Sequence, residues 1–139
     1  MSHDVILPSK PKVIREEGNN GTFEIDGLYP GYGHTLGNSL RRIILSSLPG
    51  AAVTKVKIAG VEHEFSAIDG VSEDVIVILL NIKKLRIRML SDEPIVLSLK
   101  VKGVKDVTAK DIEAPGQVEI LNPELRIATL TEKTSEIDI

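Results

Sequence analysis

The first pattern along the chain is a pair of short segments separated by a turn. Residues 12–17 are predicted to form a strand, and the Gly-Asn-Asn-Gly sequence at residues 18–21 favours a tight turn. Residues 22–28 follow, with apolar side chains at Phe23 and Ile25. Together these segments predict a β-hairpin.

A helical period begins at Thr35. Apolar side chains then recur at the spacing of one helix face, at Leu36, Leu40, Ile43, Ile44 and Leu48. Thr35 or the preceding His34 is placed to cap this helix, and Pro49 with Gly50 ends it. The pattern predicts a helix of about four turns whose apolar face lies in a core.

Two strands and a second helix are predicted in the middle of the chain. Residues 51–58 carry β-branched side chains, and residues 61–65 alternate apolar and polar positions as an exposed strand does. Residues 72–84 begin with a good N-cap, Ser72, followed by two acidic residues, and they end with two lysines. Although the β-branched side chains of this segment favour a strand, the placement of its charges predicts a helix.

The rest of the chain has the alternation of strands. Residues 85–89 and 95–101 alternate on either side of a turn at residues 91–94, which predicts a hairpin. Further short strands are predicted at residues 118–121 and 125–130, and a strand followed by a turn is predicted at residues 107–112. Residues 136–139 are expected to begin an element that the chain does not finish. The pattern therefore predicts an α+β fold, in which a hairpin-and-helix unit (residues 1–50) precedes a β-rich unit (residues 51–139).

The composition excludes several function classes. The chain of 139 residues has a net charge of −3 and only 3% aromatic residues, which disfavours direct binding of DNA. It contains no cysteine, so disulfide scaffolds, zinc–thiolate sites and thiol catalysis are excluded. No signal-peptide pattern and no apolar run of about 20 residues is present, so we expect no membrane association and a cytoplasmic protein.

No set of residues predicts catalysis. His34 and His63 lack further ligands at metal-binding spacing, and a structural role is the better interpretation of both. The glycines before the first helix lack the rest of a nucleotide-binding motif, so they are interpreted as a tight turn. We predict no catalytic residue, no metal site and no cofactor.

One side of the first helix carries a different signal. Arg42 lies away from the apolar face, and Leu45 lies near the side opposite it. An exposed leucine beside an arginine is typical of a surface that a protein partner covers. A solvated arginine with one exposed leucine explains the same pattern equally well, and the residues alone leave both interpretations open.

Five segments resemble the alpha subunit of bacterial RNA polymerase. The most specific is Gly-Tyr-Gly-His-Thr-Leu-Gly-Asn-Ser-Leu-Arg-Arg-Ile-Ile-Leu-Ser-Ser-Leu-Pro-Gly-Ala-Ala-Val at residues 31–53, which is similar to the first helix of that subunit. The similarity continues at residues 61–65, 70–83, 107–112 and 118–123. It extends from about Val13 to the last residue.

The resemblance implies a fold and a role. In this family a split dimerisation domain is interrupted by an inserted β-rich domain, and the chain is expected to stop before that insertion is complete. Two copies form a homodimer, and the copies bind the beta and beta-prime subunits without performing catalysis. The resemblance assigns Arg42 and Leu45 to contacts with the beta subunit and Lys83 to assembly. It assigns a dimer-contact or core role on the helix face to Leu36, Leu40 and Ile43.

Two alternatives accompany this expectation. One is an alpha-like subunit of an archaeal or eukaryotic polymerase, which the continuous similarity to the bacterial subunit disfavours. The other is an unrelated small α+β protein-interaction module. An independent enzyme is the least favoured class, because no nucleophile, base and orienting group are indicated together.

Overall fold

The computed structural model of the chain describes residues 7–139. Its secondary structure comprises two α-helices and several small antiparallel sheets, which confirms the predicted α+β fold class. The chain divides into two compact units, Met1–Pro49 and Gly50–Ile139.

The first unit begins with the predicted hairpin. Strand β1 (Lys12–Glu17) pairs antiparallel with strand β2 (Asn20–Glu24), and Val13 lies opposite Phe23. Gly18 adopts a φ of 55° in the turn, a backbone conformation that glycine allows at little cost. The second strand ends at Glu24, four residues earlier than predicted, and residues 25–28 lie outside it.

Helix α1 spans Tyr32–Ser47, and so it begins three residues before the predicted start. Gly31 precedes it with a φ of 88°, and the Tyr32 N–H donates to the Tyr29 carbonyl at 3.0 Å. The glycine therefore turns the chain directly into the helix, and neither His34 nor Thr35 acts as the cap. The helix ends where predicted, because the residue before Pro49 is kept in an extended conformation.

The second unit contains helix α2, Val75–Ile82. A helix is present as the charges predicted, but its N-cap residue is Asp74 and not Ser72. The backbone of Ser72 instead continues alongside strand β8 (Arg126–Leu130), where its N–H donates to the Thr129 carbonyl at 2.9 Å. Val75, Ile78 and Ile82 are the buried residues of α2.

The predicted hairpin of residues 85–89 with 95–101 is wrong, because its two strands pair with more distant partners. Strand β3 (Ile87–Met89) pairs with β7 (Val118–Ile120), and strand β4 (Ser98–Lys102) lies between β6 (Ile112–Glu113) and β9 (Glu136–Asp138). Strand β5 (Lys105–Thr108) pairs with β8. All of these pairs are antiparallel. Alternation along a strand indicates which side chains share a face, but it does not identify the partner strand.

The strands predicted at residues 51–58 and 61–65 are also absent. In the first segment Ile58 is buried, and Val53 and Val56 pack against the core as half-buried side chains. In the second, Val61 N–H donates to the Ile58 carbonyl and Ser66 N–H to the His63 carbonyl, which are turn contacts. The β-branched residues of the first segment were therefore a signal of burial and not of strand pairing.

The core of the second unit lies between α2 and the strands. Its least accessible large side chains are Val75 and Ile78 from α2, Val107 from β5, Ile127 and Leu130 from β8, and Ile137 from β9. Aromatic side chains contribute none of these residues, as the aromatic content of 3% leads one to expect. Burial of aliphatic surface is the main force that holds these elements together.

Candidate protein-interaction surfaces

The apolar face of α1 is not part of a core in the first unit. None of the helix's residues is buried, and Leu40, Ile43 and Ile44 are 42%, 55% and 56% exposed. Leu36 is half-buried. The prediction that this face lies in a core is therefore wrong for the unit as described. The periodicity was sufficient to predict the helix, but it could not indicate what covers its face.

Arg42 and Leu45 form a second part of the α1 surface. Leu45 is 75% exposed, and Arg42 takes part in no ion pair among residues 7–139. A shallow depression beside them is lined by Ser39, Arg42, Ile43 and Ser46. The Ser46 hydroxyl donates to the Arg42 carbonyl at 2.6 Å, so it is occupied within the helix. Arg42 offers its guanidinium donors to solvent or to a partner.

Helix α2 carries another exposed apolar group. Ile76, Val77 and Leu80 are 37%, 40% and 55% exposed, while the opposite face of the helix is buried. Lys83 follows the helix as its C-cap residue in a helical conformation, and it is exposed. At about 100° per residue, Lys83 lies on the same side as Ile76 and Leu80. We call Ile76, Val77, Leu80 and Lys83 the outer face of α2.

Two polar side chains that the sequence analysis did not assign hold α2 against β8. The Glu73 carboxylate accepts from the Thr129 N–H at 2.6 Å and from the Thr129 hydroxyl at 2.9 Å. The Asn81 side-chain amide donates to the Ile127 carbonyl at 3.0 Å. The available signal was a single asparagine within an otherwise apolar helix, because such a residue needs a partner when it is partly buried.

The loop after α2 is held by another amide. The Asn122 side chain accepts from the Arg86 N–H at 2.8 Å and donates to the Lys84 carbonyl at 3.0 Å. These two bonds fix the backbone next to Lys83. Hydrogen bonds therefore hold α2 against β8 and hold the loop that follows the helix against Asn122.

The perturbed pKa values belong to structural contacts: the Lys12 ammonium lowers the pKa of Asp26 in the first unit, and the other perturbed groups lie in the second unit. Partial burial is the largest influence on Asp111 and raises its pKa, but bonds from the Lys105 ammonium and the Thr108 backbone together outweigh it. The pKa of Asp111 therefore lies below its ordinary value. A hydrogen bond to Asp138 and its charge raise the pKa of exposed Lys100 across the β4–β9 pair. None of these groups lies in a cleft, so no acid–base chemistry is indicated.

Among the residues that the structure describes, neither His34 nor His63 lies within a catalytic or metal-binding set. His63 Nδ1 lies 3.3 Å from the Ser66 hydroxyl, and His34 lies in the first turn of α1. Across residues 7–139 no group of three potential metal ligands comes together. Within the same residues, no helix is long and apolar enough to cross a membrane.

Comparison with known proteins gives the family. The sequence model described as the RNA polymerase Rpb3/RpoA insert domain matches residues 56–139. The chain belongs to the RNA polymerase alpha-subunit family. Membership confirms the resemblance inferred from the sequence, and it excludes the unrelated interaction module.

Individual relatives agree with this assignment. The chain is 52% identical over 136 residues to the DNA-directed RNA polymerase subunit alpha of Roseiflexus sp. (strain RS-1), covering 98% of this chain and 42% of the relative. It is 60% identical over 125 residues to that of Symbiobacterium thermophilum, covering 87% and 40% respectively. For Bacillus velezensis the identity is 55% over 130 residues, covering 91% and 41%. The chain therefore spans about two fifths of the length of these curated relatives.

Proposed function

We propose that the chain is an assembly scaffold of bacterial RNA polymerase: it dimerises, binds the beta and beta-prime subunits, and performs no catalysis. The family membership supports the alpha-subunit role. The exposure of α1 is the observation that carries the scaffold role. Helix α1 has 16 residues, none of them buried, and a row of exposed aliphatic side chains. Packing within its own unit therefore gives this helix little stabilisation.

A second copy of the chain is the proposed cover for the apolar face of α1. Leu36, Leu40 and Ile43 share that face, and the hairpin of the same unit exposes Val13 and Phe23 by 59% and 58%. Burial of aliphatic surface stabilises by about 25 cal/mol per Å². Symmetric dimers bury the same patch of both copies, so one exposed apolar face satisfies both partners.

The beta subunit is the proposed partner of Arg42 and Leu45. On a helix with about 100° per residue, Leu45 lies roughly 140° from Leu40, and Arg42 lies roughly 160° from it. The two residues are therefore free for a partner while the Leu40 side of the helix faces a second copy. Arginine is enriched in protein interfaces, and a partner that covers Leu45 also buries its exposed aliphatic surface.

The outer face of α2 is proposed to contribute to assembly through Lys83. Lys83 shares a side of the helix with exposed Ile76 and Leu80, so a protein surface with apolar residues and a carboxylate complements it. The net charge of −3 disfavours direct DNA binding by the chain. The proposed compartment is the cytoplasm, where the transcription complex of a bacterium is located and where a chain without cysteine needs no disulfide.

Particle mass tests this proposal. The chain has a mass of 15.1 kDa, and light scattering coupled to size exclusion should show twice that mass for the chain alone. Addition of purified beta subunit from the same organism should give a larger particle that contains both chains. A particle of 15.1 kDa that does not combine with the beta subunit would contradict the scaffold role.

A further inference from the structure

Most backbone N–H and carbonyl groups on one edge of β8 form hydrogen bonds with α2 or with the segment before it. Residues 127, 129 and 131 direct their backbone groups to the same edge, because alternate residues of a strand share a side. Thr131 N–H donates to the Gly70 carbonyl, and the Thr129 carbonyl accepts from Ser72 N–H, both at 2.9 Å. Residues 70–72 therefore run beside β8, where Val71 and Leu130 form an isolated antiparallel β-bridge.

The backbone can no longer pair with β8 once the chain turns into α2. The Thr129 N–H and the Ile127 carbonyl lie beyond the paired segment, next to residues that are at most 1% exposed. A buried backbone group without a partner costs about 1–3 kcal/mol. Glu73 supplies the missing acceptor for Thr129, and Asn81 supplies the missing donor for Ile127.

Apolar packing alone does not set the position of α2 along β8. The buried residues of the helix are Val75, Ile78 and Ile82, and several other aliphatic residues of the same helix are of similar size. Hydrophobic attraction is non-directional, so it tolerates a rotation or shift that exchanges one aliphatic residue for another. Hydrogen bonds are directional: Glu73, just before the helix, accepts from the Thr129 N–H at 2.6 Å, and Asn81, near its end, donates to the Ile127 carbonyl at 3.0 Å, so together they favour one position.

We propose that Glu73 and Asn81 are positioning residues: by bonding to β8 they determine which face of α2 is presented for assembly. The inference rests on the proposed scaffold function, because the presented face contains Lys83. The beta subunit is the proposed occupant of this face, so a rotated or shifted α2 would move Lys83 and Leu80 away from it without unfolding the unit. Neither Glu73 nor Asn81 contacts the partner in this arrangement, since each side chain is directed to β8.

Glu73→Gln and Asn81→Leu are the direct variants. The first keeps the length of the side chain but replaces one acceptor oxygen by a donor that faces the Thr129 donors. The second keeps the volume but removes the donor to Ile127. Asp74→Asn is the matched control, because it makes the same change of charge one residue further along. Asp74 makes no side-chain capping bond.

Binding of purified beta subunit to the chain should be measured by titration, normalised to the folded fraction of each variant. We expect Glu73→Gln and Asn81→Leu to bind about tenfold more weakly, the factor that corresponds to the loss of one such bond. Asp74→Asn should bind as the parent does. Hydrogen exchange should become faster in α2 and at the Thr129 amide, while amides of the β5–β8 ladder stay protected.

A milder variant covers the case in which Glu73→Gln does not fold. Thr129→Val removes only the hydroxyl donor to Glu73, on a strand that has no part in the outer face of α2. It should weaken beta-subunit binding in the same direction. Parental binding by all three folded variants would overturn the positioning role and leave the scaffold proposal intact. Failure of the parent chain itself to bind would overturn the scaffold proposal and, with it, the inference.

Discussion

Gly70 lies where a turn contacts a buried serine, and Gly70→Ala is expected to destabilise the second unit strongly. The residue has a φ of +73°, which side chains other than glycine rarely adopt. A Cβ atom added there would lie 1.8 Å from the Ser135 Oγ and 2.9 Å from the Ser135 Cβ. Ser135 is only 5% exposed, so its side chain cannot move into solvent without opening the core.

Two costs add at this position. An L-residue in the left-handed region costs about 1–2 kcal/mol. An extra carbon in a packed interior costs about 1–3 kcal/mol more. Movement of the turn does not relieve the overlap freely, because the Gly70 carbonyl accepts from the Thr131 N–H at 2.9 Å and from its hydroxyl at 3.1 Å. We therefore expect a loss of roughly 2–5 kcal/mol in the free energy of unfolding.

Denaturation by urea, followed by circular dichroism, measures this loss, and Gly103→Ala is the matched control. Gly103 has a φ of +85°, but a Cβ added there would meet no atom within 4 Å. The control should therefore lose only the backbone part, about 1–2 kcal/mol. Removal of the overlapping oxygen by Ser135→Ala should reduce the cost of Gly70→Ala. Equal losses for the two glycine variants would show that the contact with Ser135 does not constrain the fold.

Three further predictions follow from individual side chains. Arg42→Ala should leave the thermal midpoint and the dimer mass unchanged but weaken beta-subunit binding by ~2 kcal/mol or more, measured by titration; unchanged binding would favour a solvated arginine. Asp111→Asn should destabilise the chain at neutral pH. Because the pKa of Asp111 in the folded chain lies below its ordinary value of 3.8, the stability difference between parent and variant should persist above that pH and shrink as the pH falls below it. Thermal melts across pH measure this difference, and a constant difference would exclude the Lys105 contact as its cause. Ile78→Ala, at a position with 0% exposure, should cost roughly 2–5 kcal/mol in urea denaturation, and a smaller loss would mean that α2 is loosely packed.

A secondary-structure element was predictable from the sequence where its signal lies within the same short segment. The Gly-Asn-Asn-Gly turn predicted the first hairpin, and the spacing of Leu36, Leu40 and Ile43 predicted α1. The charges around residues 72–84 predicted α2 against its β-branched content. In each case the signal and the structure it specifies lie on the same short segment.

Long-range pairing was not predictable in the same way. Glu73 suits the first turn of a helix, but its carboxylate instead bonds to Thr129, 56 residues later. The partners of β3 and β4 likewise lie beyond the nearest turn, and no local rule distinguishes them from the adjacent strand. The predictions of Ser72 as the cap of α2 and of a hairpin at residues 85–101 were both wrong because distant partners, and not local signals, determine these contacts.

Some cations of the chain already form ion pairs within the fold, and those of the candidate surfaces do not. Seven ion pairs occur among residues 7–139, and four of the five in the second unit join neighbouring strands, as Lys100 with Asp138 does. Arg42 and Lys83 take part in none of them. Other exposed cations are also outside these pairs, so the lack of a carboxylate alone does not distinguish the two. Each of the two also has an exposed aliphatic neighbour on its helix, Leu45 at 75% for Arg42 and Leu80 at 55% for Lys83. A cation beside such a residue gains more from a partner than from water, because covering the aliphatic surface also strengthens the ionic contact. This combination, and not charge alone, is what supports the proposal that both residues contribute to assembly.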